Sequence, residues 1–375
     1  MNNPIDNHLN KIISQKGDLL FSDFMDIALY HDQYGYYNKQ NSIFGAKGDF
    51  ITAPIASSFF GESISNEFIN LSSEIKNASI LELGGGDASL AISLLKRLEE
   101  EDSLPVTYII IETSKQLKTL QKNNIKKLIP NLAHLVKWQK DLSEKSFEGL
   151  IIANEFFDAL PSERFKYSSE GLKMSYVSSI DHQLSEIWKE STEEFKNEFI
   201  LATDNMDIKF SENYISELNL HYSTWVNKIN KALERGVCII TDYGYNNKEY
   251  FLEDRTEGTL VCIYNHKANF DPLYKIGEQD ISTFVNFSHL SKISENIDMN
   301  VCGYLTQYNF LINLGILNIF ENKKFDDIEK HVELNRLKNI LLPNAMGELF
   351  KVLILKKNIN SQLLSTKEFN HLHKL

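Results

Sequence analysis

Apolar residues recur at helical spacing from Ile5 to Lys16 and again from Phe21 to Tyr30, which predicts a helical N-terminal pair with Ser22 capping the second helix. From His31 to Pro54 the period gives way to Tyr, Gly and polar residues. An irregular stretch that long is more than a connector, and its tyrosines serve either packing or function. Ser57 to Ser73 returns to helical spacing through Phe60, Ile64, Phe68 and Leu71. Beyond it the pattern becomes short, continuous apolar runs: Ile80 to Leu83, Val106 to Ser114, His134 to Trp138, Leu150 to Ala153 and Val237 to Tyr245. Helical segments at Leu90 to Leu98 and Gln116 to Leu128 separate the first three, and Pro130 stops the second of these helices. Runs of this kind are strands buried on both faces, so their alternation with helices predicts an α/β fold around a parallel sheet. Glu163 to Glu190 reads as β with a hairpin at Ser168–Gly171, and Asn213 to Arg235 as a charged helix ended by Gly236. Gly258 to Tyr264, part of Val301 to Leu317, and Met346 to Lys357 add later strands; the polar tail to Leu375 is expected to fray.

Chemistry enters at ILELGGGDASL, Ile80 to Leu90. Gly84, Gly85 and Gly86 let the chain turn sharply at a strand end and approach a bulky ligand, while the following helix offers free N–H groups. The second strand ends in Glu112, an acid suited to ribose hydroxyls, and Asp141 follows the third. Two cofactors suit this order. A dinucleotide is usually held by Gly-x-Gly-x-x-Gly, but Ser89 stands in the last position. S-adenosylmethionine brings a sulfonium and an ammonium beside one carboxylate, so the acids Glu82, Asp87, Glu112 and Asp141 favour it. The fourth strand spills into Asn154, Glu155, Phe156, Phe157 and Asp158 at the end where open α/β sheets bind ligands. Paired carboxylates there would orient a guanidinium, and Phe156, Phe157, Tyr243 and Tyr245 are expected to face the cation and exclude water.

The 375 residues are 42% hydrophobic and 24% charged, which makes the chain globular rather than disordered. A net charge of −12 argues against a grip on nucleic acid phosphates. Cys238, Cys262 and Cys302 sit far apart in apolar surroundings and read as reduced core residues, with no metal site at ligand spacing; His266 reads as structural. Without an apolar signal core, an arginine-rich leader or a membrane-length apolar run, the expected setting is the bacterial cytoplasm rather than a mitochondrial matrix, with no membrane insertion.

Several stretches resemble one family, the MidA-like class I methyltransferases, which include the mitochondrial complex I assembly methyltransferase. They are YGYY at Tyr34, GDFITAP from Gly48, FGE at Phe60, ELGGGDASL from Glu82, ANEFFDALP from Ala153, DYGY from Asp242, GTL from Gly258, DPL and GEQDIS after His266, and MGELFKV from Met346. The resemblance implies a Rossmann-like sheet with helices on both faces, an antiparallel last strand, a helical N-terminal extension and insertions after strands four and six. It implies S-adenosyl-L-methionine as cofactor and an arginine of a partner protein, such as a respiratory complex I subunit, as acceptor. Carried over by position, Glu82, Gly84, Gly85 and Gly86 hold the methionine part, Glu112 the ribose and Asp141 the adenine edge; Gly48, Asp49 and Thr52 close over the cofactor; Asn154, Glu155 and Asp158 face the acceptor. Departures stand at Ala88, where the family usually has Gly, at Ile55, commonly Glu, and at Asn286, commonly an acid. The expected organisation is an N-terminal helical segment with a cofactor-covering loop (1–73), a methyltransferase domain (74–357, with insertions 162–235 and 265–345) and a tail (358–375). A second reading, favoured by Ile55 and Asn286, is a non-catalytic assembly protein that retains the cofactor pocket.

Overall fold

The computed structural model describes residues 3–38, 52–142, 146–204, 210–297 and 299–375. Seven strands build the central sheet: β1 (Ser79–Leu83), β2 (Tyr108–Ile111), β3 (Val136–Gln139), β4 (Phe147–Asn154), β5 (Leu233–Tyr245), β6 (Asn300–Thr306) and β7 (Phe350–Lys357). Their order across the sheet is β3-β2-β1-β4-β5-β7-β6, and the short Val285–Asn286 strand adds to the end of β5. The first five pair in parallel, whereas β7 runs antiparallel to both β5 and β6.

Side chains of successive strand residues point to opposite faces, and both faces here are apolar. Ile80, Ile110, Leu150, Ile152 and Ile239 face one layer, which holds α3 (Phe59–Ser72), α4 (Ser89–Glu100) and Ile125 of α5 (Lys115–Leu128). Leu81, Leu83, Ile151, Cys238 and Ile240 face the other, covered by α6 (His221–Ala232) and α7 (Phe287–Glu295). The continuous apolar runs of the sequence are therefore two-sided burial, as expected of an α/β sheet. The N-terminal helices, α1 (Pro4–Lys16) and α2 (Phe21–Tyr30), pack apart from these layers around Ile5, Leu9, Phe24 and Leu29.

Four expectations are corrected. Ser22 does not cap its helix: Leu20 stands at the cap, and Ser22 Oγ donates to the buried Glu163 carboxylate, tying the N-terminal helix to a second sheet. The stretch Asn213–Arg235 is not one helix. Tyr214–Leu218 is a strand of that second sheet, antiparallel to Glu163–Ser168, with Ser216 and Leu218 buried; Asn219 Oδ1 then accepts from His221 N where α6 starts. Gly236 is no helix stop but lies inside β5 at φ 141°, a conformation that favours glycine, with a β-carbon there directed into the Gly149 backbone. The tail is anchored: Glu74 accepts from the N–H groups of Asn360 and Ser361, Glu67 from those of Leu364 and Ser365, and Leu363 is buried.

Cys238 and Cys262 are buried, and all three cysteines are free. Among the described residues no helix is long and apolar enough to cross a membrane, and no group of His, Cys, Asp and Glu has the makings of a metal site.

Candidate functional site

A cavity of about 570 Å³ opens at the carboxyl ends of β1 to β4. At one end the chain leaves β1 through Gly84 (φ +70°), Gly85 and Gly86 (φ +49°). A β-carbon on Gly85 would lie 2.6 Å from Ile110 Cγ2, so the turn packs against β2 too closely for any other residue. Ala88 is also left-handed (φ +73°), at the N-cap position of α4, which explains why glycine is usual at this position: only glycine takes that conformation without cost.

Glu82 is buried and accepts from Tyr108 Oη at 2.8 Å. Burial, with repulsion from Asp87 and Glu112 adding to it, pushes its pKa up to about 8. Glu112 lies just past β2, accepting from Ser114 N at 2.8 Å and Gln121 Nε2 at 3.0 Å, and burial raises its pKa too. Gln121 also donates to Gly86 O and accepts from Trp138 Nε1, so one side chain links the glycine turn, the second-strand acid and β3. Asp141 lies at the cavity edge, more than half exposed, with both oxygens within 2.9 Å of Lys228 Nζ; that lysine lowers its pKa.

At the other end, β4 releases Asn154, Glu155, Phe156 and Asp158. Glu155 is left-handed (φ +50°), its N–H held by Thr241 O, and its Oε1 accepts from Asn154 Nδ2 at 3.2 Å and Ala53 N at 3.4 Å. Burial first, then Asp158, pushes its pKa up to about 8. The loop is pinned from below by the wholly buried Asp242 of β5, whose Oδ2 accepts from the N–H groups of Phe156, Phe157 and Asp158 at 2.9 to 3.2 Å. Burial, and after it the charges of Asp158 and Glu155, hold the Asp242 carboxyl well above the usual carboxylate range. Burial and the charge of Asp280 push the Asp158 pKa up to about 7.

Every expected site residue within the described chain lines this cavity: Thr52, Glu82, Gly84, Gly85, Gly86, Glu112 and Asp141 on the cofactor side, and Asn154, Glu155 and Asp158 on the other. Gly48 and Asp49 lie outside the described residues. The aromatic wall is corrected. Phe156 lines the cavity, but Phe157 is core, packed edge-on to Tyr222, and Tyr243 and Tyr245 pack at a tilt against Phe350 and Phe284 instead. The rings that do line it are Tyr30, Tyr37 and Trp225, the last edge-on to Phe156 at 4.8 Å. Neither Ile55 nor Asn286 lines it; Asn286 instead caps α7, accepting from His289 N.

Asp242 and Asp280 were visible in sequence only as parts of DYGY and GEQDIS. Their roles need the topology, since one supports the β4 loop from a neighbouring strand and the other comes from Asp280–Ser282, a strand of a separate small sheet. Tyr30 and Tyr37 sat in segments read as helix and loop.

S-adenosylmethionine fits this lining. The buried carboxylates of Glu82 and Glu112 beside a turn with no side chains in the way would suit its ammonium and its ribose hydroxyls, and Asn154 Oδ1 and Asp158 Oδ1 are buried atoms without a hydrogen-bond partner further along the wall. The group supplies an electrophilic methyl on a sulfonium.

A family model described as "Putative S-adenosyl-L-methionine-dependent methyltransferase" matches residues 60–305. Among curated relatives, the mitochondrial protein arginine methyltransferase NDUFAF7 of Mus musculus is 26% identical, covering 92% of this chain and 83% of its own length. The NDUFAF7 homolog of Caenorhabditis elegans is 27% identical, covering 83% of this chain and 77% of its own. A solved structure of a superfamily member from Burkholderia thailandensis with S-adenosylhomocysteine bound is 27% identical, with a TM-score of 0.93, covering 100% of this chain and 99% of that one.

Proposed function

The chain belongs to this family of S-adenosyl-L-methionine-dependent methyltransferases, and from that premise we propose that it methylates an arginine side chain of a partner protein. The observation that carries the arginine reading is the loop after β4: Glu155 and Asp158 stand at the cavity wall with raised pKa values, on a backbone fixed by Asp242. The names of the curated relatives support it.

Methyl transfer is an in-line displacement, so the protein chiefly positions the acceptor and strips water from it. Asn154 and Asp158 orient the guanidinium through charge-assisted hydrogen bonds. A nitrogen that gains a methyl must lose a proton, and Glu155, ionised beside the bound guanidinium, is the carboxylate suited to take it, because burial makes it a stronger base than an exposed glutamate. Phe156 and Trp225 close the wall between the two ends against water. Glu82 and Gly84 to Gly86 hold the methionine part of the cofactor, Glu112 its ribose, and Asp141 its adenine edge once Lys228 yields, with Thr52, Gly48 and Asp49 covering it. The stretch 162–235 selects the client, since α6 within it lines the cavity with His221, Trp225 and Lys228. A respiratory complex I subunit in a bacterial cytoplasm completes the reading.

Calorimetry with S-adenosylhomocysteine tests cofactor binding, and radiolabelled methyl transfer into candidate clients tests chemistry. Glu155→Gln and Asp158→Asn are expected to keep the cofactor and lose the label; an unlabelled client with wild-type protein, or full labelling by both variants, rejects the assignment. The non-catalytic reading loses its motive, because the two departures that favoured it lie off the cavity wall.

A further inference from the structure

α5 turns a narrow stripe inward, burying Gln121 and Ile125. On a helix of this kind the inward positions ordinarily carry apolar side chains, because a buried amide without partners is costly. Gln121 is wholly buried, and it stands behind the cavity wall rather than in it. Its amide joins three elements: Nε2 donates to Gly86 O and to Glu112 Oε2, each at 3.0 Å, and Oε1 accepts from Trp138 Nε1 at 2.9 Å. An indole N–H can only donate, whereas a carbonyl and an ionised carboxylate can only accept, so the amide has a single orientation. Turned over, it would set N–H against N–H and oxygen against oxygen.

Glu112 is held from other sides as well. Its Oε1 accepts from Ser114 N at 2.8 Å, and its own N–H donates to Gln139 O at 2.9 Å, which extends the pairing of β2 with β3. The bonds from Ser114 and Gln121 also work against burial, favouring the ionised carboxylate that accepts from hydroxyls. The glycine turn is held by the same helix. One helical turn beyond Gln121, Asn124 Nδ2 donates to Asp87 O at 2.9 Å, so α5 binds successive carbonyls, those of Gly86 and Asp87. A β-carbon on Gly85 would lie 3.2 Å from Gln121 Nε2, so the amide rests on the turn itself. Two parts of the wall that leave different strands are thus tied by one side chain. An extended ligand that docks on both is bound best when their relative placement is fixed beforehand.

Resting on the reading in which Glu112 takes the ribose, we propose that Gln121 is a positioning residue for the cofactor: it fixes the Glu112 carboxylate relative to the glycine turn and so makes recognition of S-adenosylmethionine depend on its ribose hydroxyls. Trp138 acts through it, anchoring the amide at the sheet edge.

The test is isothermal titration calorimetry of the full chain with S-adenosylhomocysteine and with its dideoxyribose analogue, which lacks both ring hydroxyls. The ratio of the two dissociation constants isolates the hydroxyls and is blind to a general loosening of the pocket. Wild type should favour S-adenosylhomocysteine by about tenfold or more, as for a hydrogen bond to a charged group, and Glu112→Gln should erase most of that. Gln121→Met, similar in length but without the amide, should lower the ratio to about threefold or less, chiefly by weakening S-adenosylhomocysteine. Trp138→Phe, which leaves Gln121 in place and releases its oxygen, should give an intermediate ratio. Equal weakening of both ligands by Gln121→Met, with the ratio kept, overturns the proposal and leaves Gln121 a packing residue. Where that variant does not fold, Trp138→Phe decides, and an unchanged ratio there overturns it equally. A wild type that does not discriminate, or discrimination that survives Glu112→Gln, rejects the ribose assignment of Glu112 itself, and the proposal falls with its premise.

Discussion

Ala88 shows how much a single departure reveals once its backbone is known. In sequence it is a glycine position that has gained a methyl; in the structure it is a buried residue at φ +73°, where a β-carbon crowds the neighbouring carbonyl. Ala88→Gly should therefore stabilise the protein by roughly 0.5–1 kcal/mol in urea unfolding, the relief of left-handed strain outweighing the entropy glycine loses on folding. A destabilising result would mean that the methyl group's packing outweighs the strain. Glu82 gives the second prediction at this scale. Its folded pKa of about 8 lies above the ordinary value of 4.5, so the folded state binds the proton more tightly than the unfolded one. That contribution is fully present below about pH 4.5 and is lost as pH rises through 8, at up to about 1.4 kcal/mol per pH unit. Urea unfolding without cofactor at pH 6 and pH 8.5 should show the decline, and Glu82→Gln should flatten part of it; Glu155 supplies a further share. Cofactor cations favour the ionised acids, so S-adenosylmethionine should bind more tightly at pH 8 than at pH 6.

Elements were legible to the extent that both their faces carried information. Four of the five parallel strands were visible as apolar runs because each is buried on both sides, whereas Val136–Gln139, at the sheet edge with Lys137 exposed, carries a weaker signal. Tyr214–Leu218 was not, since it is short, mixes polar residues with its buried positions and adjoins a true helix, so its period merged with that of α6. The aromatic residues after β4 and β5 failed for a different reason: composition identifies a ring but not its direction, and Phe157, Tyr243 and Tyr245 turn into packing while Tyr30 and Tyr37 reach the cavity from distant segments. The tail was misread because its anchors are backbone N–H groups, which no side-chain pattern reports. Glu67 and Glu74 of the α3 region accept from four of them. Deleting residues 358–375 should thus cost about 3 kcal/mol or more through unpaired buried carboxylate and lost Leu363 packing, seen as a lower urea midpoint. An unchanged midpoint would restore the frayed tail.

For the molecule as a whole, the cofactor side of the site was the readable part, because the strand, glycine turn, helix and acid follow one another along the chain. The acceptor side was half hidden, since it is assembled from β4, β5, a three-stranded sheet and the N-terminal helices, which only the fold brings together. The two sides are nonetheless joined. Ser114 Oγ, at the start of the helix after Glu112, donates to Tyr37 O, and Tyr37 Oη in turn donates to Asp280 Oδ1. A turn fastened at one end to the helix after Glu112 and at the other to a carboxylate of the cavity wall can couple the two ends of the cavity in time. Occupancy of the cofactor side should set that turn before an acceptor can lodge, giving compulsory-order kinetics with S-adenosylmethionine entering first and S-adenosylhomocysteine leaving last. Product inhibition would then be competitive toward the methyl donor and noncompetitive toward the acceptor. Ser114→Ala, cutting the tether, should relax the pattern toward random entry.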